Sequence, residues 1–418
     1  MRRILFIAVL VIAGEMVFGL PFHTARFFRP TLLEVFGFTN TQLGDLFAAY
    51  GVTAMLSYFP GGALADRYSA RRLLTLSLFA TAAGGLYMAT IPGAMQMAML
   101  YGFWGMTTIF LFWGALIRAT RDWGGQAAQG TAFGILESGR GLTAAVVAVV
   151  AVALFASFMP EDVLSATDAE RRAGLRAIIL LYSAAAVGAG ILVWYVIPES
   201  NNNTQEKRSS FSGMAEVVRR PIIWAQAAII VCAYTMYRGV DNYSLYAVQV
   251  LGMDELRAAG FAATAAYVRP VAALTAGLIA DRFDATRSIG AAFVLLAIVY
   301  AMLSVMTPDV VGTSVIVVSI FISLFGVFAL RGIYFALLEE TRTPRNITGA
   351  AVGMVSLVGF TPEIFLAPIA GRILDATPGA GGHLNVFLLF AVVATCGIAV
   401  VAWLYCLKRN QLQEKPVV

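Results

Sequence analysis

The sequence predicts an all-α membrane protein in which twelve transmembrane helices form two similar six-helix bundles. Three observations carry this: the composition, the number of long apolar segments, and a set of polar blocks that occurs twice. Of the 418 residues, 59% are hydrophobic and only 13% are charged, with a mean hydropathy of +0.79. A water-soluble domain carries about 25% charged residues, so the solvent for this chain is lipid. The net charge is +5, but the basic residues are scattered between apolar runs rather than gathered on one segment, which argues against a nucleic-acid partner. Cys232, Cys396 and Cys406 lie far apart in apolar stretches, with neither disulfide-framework nor metal-ligand spacing.

A helix crosses the hydrocarbon core with about 20 mostly apolar residues. Twelve segments meet that length, near residues 4–28, 43–65, 73–91, 95–117, 128–158, 175–197, 221–250, 256–280, 288–307, 310–338, 347–372 and 384–407. The first begins MRRILFIAVLVIAGEMVFG, like a secretory signal, but Glu15 interrupts the run and no clean cleavage site follows. It is expected to remain as the first helix. Tyr101, Trp104 and Trp113 in the fourth are expected to pack or to sit at the membrane interface. In the eleventh, Pro362 beside Glu363 should bend the helix, because proline removes a backbone hydrogen bond.

The longest polar stretch, ESNNNTQEKRSSFSGMAEVVRR, falls midway and reads as a linker. It divides the chain into a bundle at 1–198, a cytoplasmic linker at 199–220 and a bundle at 221–418. The halves are related. GALADRYSARR from Gly62 recurs as GLIADRFDATR from Gly277, ALIRATRD from Ala115 as ALLEETRT from Ala336, and GTAFGI from Gly130 as GAAVGM from Gly349. The offsets are 215, 221 and 219 residues, and duplicated six-helix halves are a recurring transporter plan. With a cytoplasmic amino terminus, the connections place 18 Lys and Arg residues on one side, including every lysine. The other side receives only Arg26, Arg29, Arg171, Arg172, Arg176, Arg257 and Arg372. Both termini are therefore expected in the cytoplasm.

On these residues the chain resembles the major facilitator superfamily over essentially its whole length. Its loop pattern, G-x-L-A-D-R-x-G-R-K/R, is kept at Gly62, Leu64, Ala65, Asp66, Arg67 and Arg71, while Ser69 and Ala70 depart from it. The resemblance implies alternating access, with helices 3, 6, 9 and 12 facing lipid. It also implies a conformational latch in which Asp66 engages a neighbouring helix terminus and nearby basic groups, with Asp281 and Arg282 as its counterparts. The segment YTMYRGVDNYSLYAVQVLG, residues 234–252, is similar to the seventh helix of the organophosphate/phosphate antiporters; organic-anion symporters are a further likeness. That similarity makes Arg238 an anion-binding residue and puts Arg140 where the branch carries a substrate-binding histidine. The branch's arginine on the first helix is matched only by His23 and Arg26 nearby.

A charge at membrane depth costs roughly 2.5–3.5 kcal/mol, so such residues are candidates for function. They fall at Glu15, Arg26, Asp45, Glu137, Arg140, Arg238, Asp241, Arg269, Arg331 and Glu363, and none lies in segments 3, 6, 9 or 12, where the one charged residue is Arg176 at the edge of segment 6. Glu137 with Arg140, and Arg238 with Asp241, are spaced i, i+3 and can pair on one helix face. Arg269 and Arg331 have no acid so placed. Glu15 and Glu363 likewise have no basic neighbour on their own helix, which makes them the favoured proton carriers; Glu137 and Asp241 are further candidates.

The expected function is a secondary active transporter for a small anionic organic solute, with Arg140, Arg238, Arg269, Arg331, His23 and Arg26 as substrate-binding candidates. The expected partners are that substrate, a coupling proton or counter-anion, and the bilayer of a bacterial inner membrane; the chain is expected to be a monomer without cofactor or metal. Two alternatives stand beside it: a proton-coupled exporter of lipophilic or cationic compounds with Glu15 as the key acid, and a transporter-like solute sensor. An enzyme is disfavoured, since no metal cluster, activated nucleophile or phosphate-cradling loop occurs.

Overall fold

A computed structural model describes residues 2–125, 129–199, 214–341 and 348–413, and every regular element in them is helical. In chain order the long helices are α1 (Arg3–Met16 with Gly19–Phe27), α2 (Asn40–Arg67), α3 (Ala70–Met88), α4 (Ala94–Gly124), α5 (Gln129–Ala156) and α6 (Asp168–Val196). They continue as α7 (Pro221–Gly239), α8 (Glu255–Ala280), α9 (Ala285–Leu303), α10 (Thr313–Ala336), α11 (Ala351–Ala376) and α12 (Ala380–Gln413). Among the described residues, nine of these are long and apolar enough to span a membrane, taking the two pieces of α1 as one. The other three, α2, α3 and α7, are helical where expected but more polar. Arg71 and Arg72 ride in the first turn of α3, and α7 carries Gln226 and Arg238.

Helix ends follow local chemistry. α6 starts at Asp168 rather than near 175, because Thr167 and Glu170 form a reciprocal capping box at its amino terminus. Arg171, Arg172 and Arg176 therefore ride inside the helix. Thr39 and Gln42 cap α2 in the same way.

Helix breaks coincide with proline. The two pieces of α1 meet at 43°, ahead of a π-helical turn, Gly19–His23, that contains Pro21. α8 is interrupted between Ala266 and Val268, just before Pro270. In α11, one helix ends at Gly359 and the next starts at Pro362, as the proline led one to expect.

The chain forms two compact units. The first comprises Met1–Thr204, Asp241–Pro270 and Glu363–Ala380; the second comprises Gln205–Val240, Val271–Pro362 and Gly381–Val418. In the first, Phe22, Phe47, Tyr101 and Trp104 pack into one apolar cluster, while Leu74, Leu116 and Val193 belong to another. Trp104 and Tyr101 are wholly buried, and the Trp104 indole donates to the Thr81 carbonyl at 3.1 Å, so both are packing residues. α2 also meets the later part of α11 backbone to backbone. A Cβ at Gly44 or Gly371 would overlap the carbonyl of Ala367 or Asn40, and one at Gly51 would lie 2.7 Å from the Glu363 carbonyl.

The second unit packs Tyr300 against Phe387 and Phe390, with Phe293 filling the space over Gly397. At one end the Glu340 carboxylate caps the start of α9. It accepts the Thr286 amide at 2.9 Å and hydroxyl at 2.7 Å, and pairs with Lys408.

Candidate functional site

The first unit gathers Glu15, His23, Arg26, Glu137, Arg140, Asp241 and Arg269 from α1, α5, α8 and the segment after α7. Glu15 lies in the last straight turn of α1 with its side chain 3% exposed. Arg140 sits on α5 between Gly139 and Gly141, and these lack of side chains matters. A Cβ at Gly139 would overlap Val11 of α1, and one at Gly141 would press on the Arg269 stem at 3.1 Å. Arg269 lies in the first turn of α8 after its break.

Glu15, Arg140, Glu137 and Arg269 close a ring of alternating charge. The Arg140 Nε donates to Glu15 Oε2 at 3.1 Å and to the Gly14 carbonyl at 3.0 Å, while its Nη1 donates to Glu137 Oε1 at 2.6 Å. Arg269 donates through Nη1 to Glu15 Oε1 at 3.4 Å and through Nη2 to Glu137 Oε2 at 3.1 Å. Each guanidinium therefore bridges the same two carboxylates, using the planar fork that lysine lacks. Phe18 and Trp113 frame Arg140, with ring centroids 5.4 and 5.8 Å from its guanidinium carbon.

His23 approaches the ring from the π-helical turn, its Nε2 3.1 Å from Glu15 Oε1. Its ring stands edge-on to Phe27 and Tyr182, and among the described residues neither His23 Nδ1 nor the buried Tyr182 hydroxyl has a hydrogen-bond partner. Arg26 donates to Asp241 Oδ1 at 2.6 Å, and the Arg26 carbonyl accepts from the Ser244 hydroxyl at 2.9 Å.

Arg269 and Glu15, which have no partner of opposite charge on their own helices, find theirs on other ones. Their partners arrive from segments 125 to 254 residues away, beyond the reach of any same-helix count. The expected Glu137–Arg140 contact forms, and Asp241 pairs with Arg26. Arg238 and Arg331 belong to the second unit, where the Arg331 guanidinium lies 4.2 Å from the Tyr237 ring centroid. Glu363 is buried at the restart of α11.

Of the latch residues, Gly62, Asp66 and Arg67 lie at the surface, as does Arg282; the side chain of Asp281 lies outside the described residues. Arg71 stacks on Trp194 at 4.4 Å and donates to Glu199 at 3.3 Å. Arg118 donates to the carbonyls of Ala65 and Tyr68 at the end of α2, where positive charge suits the helix dipole.

Sequence reasoning missed a second polar cluster. The Asp375 carboxylate caps α2, accepting the Asn40 amide at 3.1 Å and the Thr41 amide at 2.7 Å, and Arg372 pairs with Asp45 at 3.0 Å. Glu255 accepts from Thr31 at 2.8 Å and from Arg171 at 2.9 Å, with Glu34 on the same arginine at 3.4 Å. Burial, and then the Glu255 carboxylate beside it, raise the Glu34 carboxyl above its ordinary value. Gly44 and Gly51, seven residues apart on one face of α2, were the available signal for the close approach.

Comparison with known proteins places this geometry in context. The sequence model of the Major Facilitator Superfamily matches residues 4–365. The inner membrane protein YqcE of Escherichia coli (strain K12) is 28% identical over 397 residues, covering 93% of this chain and 91% of the relative. The inner membrane protein YihN of the same organism is 25% identical over 419 residues, covering 98% and 96%. Among solved structures, a bacterial homologue of the human lysosomal transporter Spinster superposes with a TM-score of 0.74 at 14% identity, covering 99% of this chain and 98% of that one. The nucleoside transporter NupG gives 0.72 at 12% identity, covering 97% and 99%.

Proposed function

The chain belongs to the major facilitator superfamily and is a multi-pass membrane transporter rather than an enzyme; from that premise we propose that it carries a small organic anion, bound in its first unit by Arg140 and Arg269. The observation that carries this reading is their convergence. Two guanidiniums from distant parts of the sequence, 5% and 7% exposed, meet on shared carboxylates. Burying two arginines is costly, and apolar residues of similar size would often serve stability as well or better. A guanidinium pair instead offers a planar donor fork to an anion. A carrier of lipophilic cations has no use for it.

The remaining roles extend this reading. Arg238 and Arg331 are the candidates within the second unit, each testable by itself. If transport is proton-coupled, Glu363 and His23 are the leading proton carriers, with Glu15, held between two arginines, next. The 62–72 loop serves as the conformational latch through Asp66. Both termini lie in the cytoplasm by the distribution of Lys and Arg, and the membrane is a bacterial inner membrane, in keeping with the names of the two relatives.

The test is uptake into proteoliposomes. Labelled organic anions should enter through the wild-type protein and not through Arg140→Lys or Arg269→Lys protein reconstituted at equal density. Dependence on an imposed proton gradient, or on an internal counter-anion, then separates symport from exchange. Binding of anions without flux would make the protein a sensor, and uptake of organic cations alone would overturn the reading.

A further inference from the structure

We infer that Glu137 is an internal stand-in for the anionic group of the substrate, displaced when a monocarboxylate binds between Arg140 and Arg269; this deepens the anion-carrier reading and rests on it. The ring is not uniform. Glu15, Arg140 and Arg269 have side chains 3%, 5% and 7% exposed, whereas the Glu137 side chain is 38% exposed. The three buried members are also held from behind. Arg140 is tied to the Gly14 carbonyl and framed by Phe18 and Trp113, the Arg269 stem rests on Gly141, and Glu15 is gripped by both arginines and by His23. Glu137 is the one member whose own carboxylate reaches solvent, so it can swing out of the ring without itself crossing a buried environment, provided another anion takes its place.

Glu137 lies off the exposed apolar face of α5. The exposed apolar residues of α5, Ile135, Leu142, Val146 and Val149, share one face. At about 100° per residue, Glu137 lies about 200° round the helix from Ile135, on the opposite face. A solute that reaches Glu137 therefore does so away from that apolar face.

The contacts Glu137 makes define what could replace it. It gives one oxygen to each guanidinium, Oε1 to Arg140 at 2.6 Å and Oε2 to Arg269 at 3.1 Å, which is how a planar carboxylate bridges two donors. Without Glu137, the two arginines and Glu15 carry one net positive charge, taking His23 as neutral. One carboxylate neutralises that charge. A phosphate dianion would leave an excess negative charge at a buried position, where Coulomb energies are larger than in water. The substrate class is therefore a solute presenting a single carboxylate. While Glu137 holds the position, the site is self-neutral, so the empty carrier does not bury unpaired arginines as it moves.

The experiment is an acetate titration of the full-length protein in detergent, followed by tryptophan fluorescence and by melting temperature, with phosphate at matched ionic strength as the comparison. A resident ligand that occupies a site about nine-tenths of the time weakens apparent affinity about tenfold. Glu137→Gln should therefore bind acetate about tenfold more tightly than wild type, with little response to phosphate, and adding Arg269→Lys should abolish the gain. The melting temperature of Glu137→Ala, a variant with an open position, should be lowered and then restored by acetate but not by chloride. Equal acetate affinity in wild type and Glu137→Gln, or absence of acetate rescue in Glu137→Ala, overturns the role given to Glu137 and leaves the anion-carrier reading standing. Phosphate binding as tight as acetate overturns the monocarboxylate. Absence of anion binding in all variants removes both readings together.

Discussion

Arg269 and Glu15 are 254 residues apart in sequence, yet they meet at 3.4 Å in a buried ion pair. Through it, α8 shares an acid of α1 with Arg140 of α5. The pair makes the ring a single electrostatic object rather than a local i, i+3 bridge, and its members should respond to substitution as a unit.

Removing Glu15 tests that unity. In Glu15→Ala the two arginines lose one of the two carboxylates they share, and breaking a buried pair from one side costs about 3–5 kcal/mol. The melting temperature in detergent should fall clearly, and a cycle with Arg269→Met should show strong non-additivity, because the second substitution removes a charge the first has stranded. Additive losses would show that Arg269 and Glu15 act independently.

Arg140→Lys and Arg269→Lys keep charge but lose the fork. Each should weaken anion binding at least about tenfold, the range expected for a lost charge-assisted hydrogen bond of roughly 1.5–3 kcal/mol, with normal expression and monodispersity. Equilibrium binding in detergent checks this, with Arg238→Lys as the matched test of the second-unit candidate.

The glycine contact between α2 and α11 should be intolerant of bulk. Gly44→Leu must push its side chain into the Ala367 carbonyl, and Gly371→Leu into that of Asn40. Amide exchange in residues 40–51 and 363–376 should accelerate in both variants while the α5–α8 region changes less. Asp375→Asn, which weakens only the α2 cap, should have a smaller effect, about 1 kcal/mol. Unchanged exchange in Gly44→Leu would contradict the packing.

The Glu340 cap carries a pH dependence of defined sign. Burial alone would raise this carboxyl, but hydrogen bonds from Lys408 and from the Thr286 hydroxyl and amide outweigh it and hold the group below its ordinary value of 4.5. Because the folded value is depressed, the contribution to stability is fully present above pH 4.5 and is lost as pH falls through the folded value. Glu340→Gln should therefore be less stable than wild type at neutral pH and approach it as the solution is acidified below that point. A constant difference across the range would show that the carboxylate charge is not what holds the cap.

Asp66→Asn tests the latch. Loss of the charge should change the balance between conformations, lowering turnover in proteoliposomes more than substrate affinity. Unchanged turnover would remove Asp66 from the mechanism.

The fold was legible because lipid imposes a coarse rule: helix length and apolarity have to match the bilayer, and duplication repeats at nearly fixed spacing. The charged residues of the ring were legible as individuals for a similar reason, since each stands out at membrane depth. Their pairing was not. The i, i+3 rule finds Glu137 with Arg140, but says nothing of Arg269 meeting Glu15 or Arg26 meeting Asp241, which depend on how distant segments cross. Pro21 and Pro270 were the unread signal that the helices carrying His23 and Arg269 break beside them. Asp375 and Glu255 were passed over because they sit at helix ends, where acids ordinarily face solvent.

The most direct test of the central claim is a binding screen of the wild-type protein, Arg140→Lys and Arg269→Lys against monocarboxylates, dicarboxylates, phosphate esters and organic cations, read by melting temperature. The account predicts that organic anions, monocarboxylates foremost, stabilise the wild type and neither variant. Stabilisation by organic cations instead, or by anions equally in all three proteins, would contradict it.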